Sequence, residues 1–118
     1  MAKPGVVNIA NHYKGDTFDG IQYTILNSSD NLPIDLTGAT IKSQFRKSNR
    51  KGNVILEITD GVGITVSDAV NGIFEIDSFL LDWQPSTYYY DIEITFSDGV
   101  VKTYIEGTLI VNQDITNG

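Results

Sequence analysis

Between Thr87 and Phe96 the chain reads Thr-Tyr-Tyr-Tyr-Asp-Ile-Glu-Ile-Thr-Phe, and this run constrains the fold more than any other. Side chains alternate between the two faces of a strand, so Tyr88, Tyr90, Ile92, Ile94 and Phe96 share one side while Tyr89, Asp91, Glu93 and Thr95 share the other. A helix would scatter that apolar set around its axis. The segment is expected as a strand with one face in a core and one in water. Ser97-Asp98-Gly99 supplies a turn, and Val101 to Val111 returns as a second long strand with Gly107 at its middle.

The same period-two logic extends upstream. Ala39 to Arg46 alternates, with Ile41 and Phe45 inward and Lys42, Gln44 and Arg46 outward, and is expected to pair with Val54 to Ile58 across the polar segment Lys47 to Asn53. Short strands at Ile64 to Val66 and Ile73 to Ile76 flank the turn dipeptide Asn71-Gly72. Thr17 to Leu26 reads as a strand whose apolar set slips phase between Phe18 and Ile21, which predicts a bulge near Gly20. Ser78-Phe-Leu-Leu-Asp-Trp carries a serine suited to an N-cap and ends before Pro85, which predicts a short helical crossover. Its Phe79, Leu81 and Trp83 are expected to plug one end of the core, with Trp83 mostly buried. Short strands at regular spacing without strand–helix alternation predict an all-β antiparallel sandwich of seven to eight strands. A length of 118 residues suits one domain, with residues 1–13 as an N-terminal arm or edge strand and 14–116 as the sandwich.

Charge and composition narrow the partners. Fifteen acidic against eight basic residues leave a net charge of −7, which repels phosphate backbones and anionic lipid, so nucleic acid and membrane are not expected partners. The basic set Lys42, Arg46, Lys47, Arg50 and Lys51 reads as a solvated strand face running into a charged hairpin loop rather than an anion site. The start Met1-Ala2-Lys3-Pro4 lacks the apolar run of a signal peptide, and no segment approaches the ~20 apolar residues of a membrane helix. The expectation is a soluble protein made in the cytoplasm.

The chemistry-bearing residues form no pattern that points to catalysis. Without cysteine there is no thiol nucleophile and no thiolate metal site. His12 is the lone histidine and has no serine, carboxylate or second imidazole spaced for a relay, so it reads as a strand-end or surface residue. Asp91, Glu93 and Glu106 are the carboxylates to test as a glycosidase-like couple, although all three fall on predicted outer faces. The Asp/Asn-rich loops Asn27 to Asp35, Ser67 to Asn71 and Asp98 lack the spacing of an EF-hand, and turn chemistry accounts for them. No Gly-rich phosphate cradle joins a strand to a helix. The expectation is no enzyme, no catalytic residue, no cofactor and no metal.

The order of segments resembles a known family. Lys14-Gly-Asp-Thr-Phe opening a strand, Asn31-Leu-Pro-Ile-Asp-Leu-Thr-Gly-Ala-Thr-Ile, Asn71-Gly before a strand, Ser86-Thr-Tyr-Tyr-Tyr-Asp-Ile-Glu-Ile, Asp98-Gly and Ile105-Glu-Gly-Thr-Leu-Ile-Val are similar to the small immunoglobulin-like structural domains of tailed bacteriophages. The likeness spans roughly Lys14 to Thr116 and includes the N-terminal domain of baseplate upper proteins and short prophage tail proteins. It implies an immunoglobulin-like sandwich that acts in a virion, at the tail, baseplate or capsid surface, through contacts with other virion proteins or with copies of itself. It brings no catalytic residue. Baseplate upper proteins continue into a fibre or receptor-binding region, whereas this chain ends at Gly118, so a free-standing virion component is expected. The alternative is a carbohydrate-binding or adhesion module whose exposed Tyr89 and Tyr104 contact a glycan.

Overall fold

The computed structural model describes residues 5–27 and 29–113. Met1 to Pro4, Ser28 and residues 114–118 lie outside the described residues, and with them the reading of the chain's opening and a sandwich boundary at Thr116. Eleven strands follow one another: β1 (Gly5–Val6), β2 (Ile9–Tyr13), β3 (Thr17–Phe18), β4 (Ile21–Thr24), β5 (Thr40–Lys47), β6 (Val54–Asp60), β7 (Gly63–Asp68), β8 (Ile73–Ile76), β9 (Phe79–Leu80), β10 (Ser86–Thr95) and β11 (Val101–Asn112). Three are two-residue pairings, so eight strands carry the architecture among the described residues.

One hydrogen-bonded path, β1-β11-β10-β5-β6-β7-β8-β4, runs through the domain; β2 also pairs with β11, and β3 and β9 form a separate ribbon. The path curls at a tight corner, where Thr59 and Asp60 of β6 pair with Gly63 and Ile64 of β7. The Asp60 carboxylate braces that corner by accepting the Ile41 N–H at 3.0 Å. Two layers result, with β4, β8 and β7 packed on β11, β10, β5 and β6. That places strands in the B-E-D against G-F-C order, and the domain is an immunoglobulin-like β-sandwich.

The alternation read from the sequence explains the core. Tyr88, Tyr90, Ile92 and Ile94 of β10 are buried, as are Ile41 and Phe45 of β5, while Asp91 is exposed. Phe45 stacks on Tyr90 with ring centroids 5.1 Å apart, and Tyr23 of β4 hydrogen-bonds Tyr90 across the layers at 2.9 Å between hydroxyl oxygens. Tyr88 closes the end of the sandwich. Its hydroxyl donates to the Gln84 carbonyl four residues upstream at 2.5 Å, the tyrosine-corner geometry of this fold.

Several expectations need correction. The helical crossover is absent: Phe79 and Leu80 pair with Phe18 and Thr17 instead, which spends their backbone groups on a ribbon and leaves too short a span for helical turns. Trp83 is mostly covered, as expected, but not sealed in the core, because it sits at the core's mouth between Phe79, Phe45 and Tyr88. The phase slip at Gly20 is a break. Gly20 has φ 91°, a Cβ there would stand 2.8 Å from the Ile76 carbonyl oxygen, and the chain changes partner from β9 to β8. Nor is the sandwich purely antiparallel, since β1 and β2 lie parallel to β11.

The arm strands are fixed by features the sequence hides. Val7 donates its N–H to the Glu106 carbonyl, its own carbonyl accepts the Tyr90 hydroxyl at 2.6 Å, and the Asn8 side chain accepts the Thr108 N–H at 3.1 Å. Because Tyr90 donates to Val7, Tyr23 must be the donor to Tyr90, giving a relay from β4 through β10 to the arm. Gly107 makes room: a Cβ at that position would stand 2.0 Å from the Val7 carbonyl oxygen.

Candidate functional site

Two concave regions and two strand edges of the described surface could meet a ligand or partner. The first is a polar groove of about 320 Å³ on the outer face of β5, β10 and β11, lined by Gln44, Arg46, Arg50, Tyr89, Asp91 and Glu106 among others. Cross-strand register builds it, since Asp91 lies opposite Gln44 on one side and Glu106 on the other. Asp91 and Glu106, two of the three carboxylates singled out in the sequence, are therefore neighbours. Glu93, two residues further along the same face, faces Lys42 at 4.0 Å.

The groove's charges are largely spoken for. Arg50 forms an ion pair with Glu106. Arg46 donates to the Gly52 carbonyl at 2.8 Å and to the Gln44 side-chain oxygen at 2.9 Å, and Gln44 donates in turn to Glu57 at 2.7 Å. Lys47 reaches Gln84 at 3.0 Å. Hence Lys42, Arg46, Lys47 and Arg50 are divided among separate partners. The Asp91 carboxyl is pushed above the usual carboxylate range, first by partial desolvation and then by Glu93, against the backbone of Gln44 and the charges of Arg46 and Lys42. A groove that mixes donors, acceptors and one phenol ring suits a neutral polar ligand better than a strongly charged one.

Tyr89 lines this groove and is half-buried. Tyr104 does not line it. It falls where the β10–β11 register shifts, and its ring meets Phe96 edge-on at 6.2 Å. Burial raises the Tyr104 hydroxyl pKa. The two tyrosines proposed as glycan contacts thus belong to different surroundings.

The second concavity, about 270 Å³, is apolar and open. Leu56 and Ile58 of β6 form one wall, and Phe79, Leu80 and Trp83 the other. Leu80 is 65% exposed at its rim. Beside it runs the outer edge of β6, which pairs with β7 only at Thr59 and Asp60, so residues 54–58 present unpaired backbone over a segment that includes the exposed Val54 and Ile55. The opposite margin of the same layer is the outer edge of β1 and β2, where Val6 and Tyr13 are exposed. The sequence pointed to residues 1–13 as an arm or edge strand but not to the strand it would meet or to the open β6 edge; Gly107, whose lack of a side chain admits the arm onto β11, moves the margin outward.

His12 lies on β2, donates from Nδ1 to the Ala10 carbonyl at 2.7 Å and tilts against Phe18 at 5.3 Å. The loop oxygens serve turns: Asp35 accepts the Thr37 N–H and hydroxyl at 2.9 and 2.5 Å, Asp30 the Leu32 N–H, Asn49 the Lys51 N–H, and Asp98 the Val100 N–H. The Thr37 hydroxyl, then its N–H, lowers the Asp35 pKa. Among the described residues no group of three or more His, Asp or Glu side chains is arranged to hold a metal. Among the described residues no helix is long and apolar enough to cross a membrane.

No family model matches the chain, and no curated protein matches it. Among solved structures, the chain is similar to extracellular domains 3–5 of Drosophila OTK, at 16% identity and a TM-score of 0.37. The match covers 94% of this chain and 34% of that one, so the chain spans about a third of the length of that structure.

Proposed function

We propose that this protein is a non-catalytic structural component of a bacteriophage or prophage particle, at the tail, baseplate or capsid surface, and acts by protein–protein contact. The observation that carries the reading is the β6 margin: unpaired backbone at 54–58, exposed Val54 and Ile55, and an apolar concavity ending in Leu80. Unpaired strand edges template pairing, and soluble domains ordinarily blunt them with lysine or proline. Residues 54–58 contain neither. The ordered likeness of the segments to phage structural domains supplies the particle context. The test is mass spectrometry of particles purified from the source strain after prophage induction: the protein is expected at a copy number set by one of the virion's rings or vertices. Particles that lack it would overturn the reading.

A second reading, a glycan-binding module, draws on Tyr89 in a groove that also offers Arg46 and Asp91. It requires saturable sugar binding by the monomer, abolished by Tyr89→Ala. A groove with one phenol ring and with Tyr104 elsewhere gives it less support than two stacked platforms would.

A further inference from the structure

We propose that copies of this chain associate head to tail, the β6 edge of one copy pairing with the β1/β2 edge of the next. The proposal rests on the contact-forming reading above and names its partner as a second copy.

Strand direction is the first argument. β2 is parallel to β11, and β11, β10, β5 and β6 alternate in direction, so β6 runs opposite to β2. A second copy placed in line with the first, with the same face outward, therefore meets β2 with an antiparallel β6, which allows ladder pairing between copies. Both margins lack lysine and proline within the strands and expose apolar groups, Val6 and Tyr13 on one and Val54 and Ile55 on the other.

Charge decides between this contact and a self-complementary one. The register of β6 against β5 shifts at Ile55, so the regular unpaired run is 56–58, centred on Glu57. A twofold β6–β6 contact about that centre sets the two Glu57 carboxylates opposite each other, which destabilises a cross-strand pair. The β1/β2 margin has no acidic residue between Gly5 and Lys14, so Glu57 meets no like charge there. The strand added to β6 would also roof the apolar concavity and cover Leu80. Head-to-tail contacts close as rings or continue as filaments, and the short regular run makes each one weak, so assembly depends on local concentration.

The absence of native cysteine makes the test clean. Ala10→Cys and a longer-tagged Ile55→Cys, both at exposed positions, are mixed at high concentration and treated with a short bis-maleimide. Thr24→Cys on β4 replaces Ala10→Cys as the control. The expected product is a crosslinked species of intermediate mass, formed from the mixture at least tenfold above the control and lost when the protein is diluted a hundredfold. Predominant homodimers of Ile55→Cys would establish the twofold contact and overturn the proposal, as would no product above the control. Detection of the protein in particles without this crosslink would leave the virion reading standing and remove only the edge pairing; the crosslink without particle incorporation would do the reverse.

Discussion

β10 and β9 are both apolar-rich strands a few residues apart, yet they are built on different terms. β10 is ten residues long and is paired along its length by β11 on one side and by β5 on the other. β9 is two residues long and pairs only with β3, and its Leu80 is exposed. Where a strand is flanked on both sides, alternation of side chains alone decides which residues are buried. At the margin, burial depends on which partner the chain happens to reach, and the same kind of residue ends half in water.

The largest effect that can test this contrast is at the centre. Phe45→Ala removes a fully buried ring stacked on Tyr90 and is expected to cost ~3–5 kcal/mol in urea unfolding. Trp83→Ala, at the mouth of the core, is expected to cost about 2 kcal/mol, because a ring not sealed in the core has less packing to lose. Equal losses from the two would erase the distinction between centre and margin.

Tyr90→Phe sharpens it differently. The ring stays and the relay breaks, leaving the Val7 carbonyl and the Tyr23 hydroxyl without their partner, at a cost of about 1–2 kcal/mol. The loss should appear together with faster amide exchange in the arm strands; a loss confined to β4 would mean that the arm is held by its ladder alone.

The smallest effect concerns the outer face. The Asp91 pKa is raised in the folded state, so its charge opposes folding above that pKa, and the penalty vanishes as pH falls below the carboxylate range. Asp91→Asn is therefore expected to stabilise by about 0.5 kcal/mol or less at neutral pH and to be neutral in acid. Stabilisation that grew on acidification would contradict the sign.

How far the sequence could be read follows the same division. The buried sets of β5 and β10, the turns at Asn71-Gly72 and Asp98-Gly99, and the two hairpins were legible because each depends on residues adjacent in the chain. The ribbon of β3 with β9 was not, because Phe18 and Phe79 are distant in sequence and the apparent serine cap at Ser78 suggested a helix. Gly107 showed only as an interruption in a strand; its purpose depends on Val7, a hundred residues earlier in the chain. Of the candidate contact residues, Tyr89 was placed on the outer face by alternation alone, whereas Tyr104 was displaced by a register shift that no local pattern announces.

Residue-resolved amide hydrogen exchange on the dilute protein tests the central claim most directly, that stability is concentrated in β5, β10 and β11 and falls away toward open margins. The inward amides of β10 are expected to exchange only through global unfolding, while those of β3, β9 and the outer edge of β6 exchange at least a hundredfold sooner. Uniform protection across all strands, or protection of the β6 outer edge equal to that of β10 in the monomer, would contradict it.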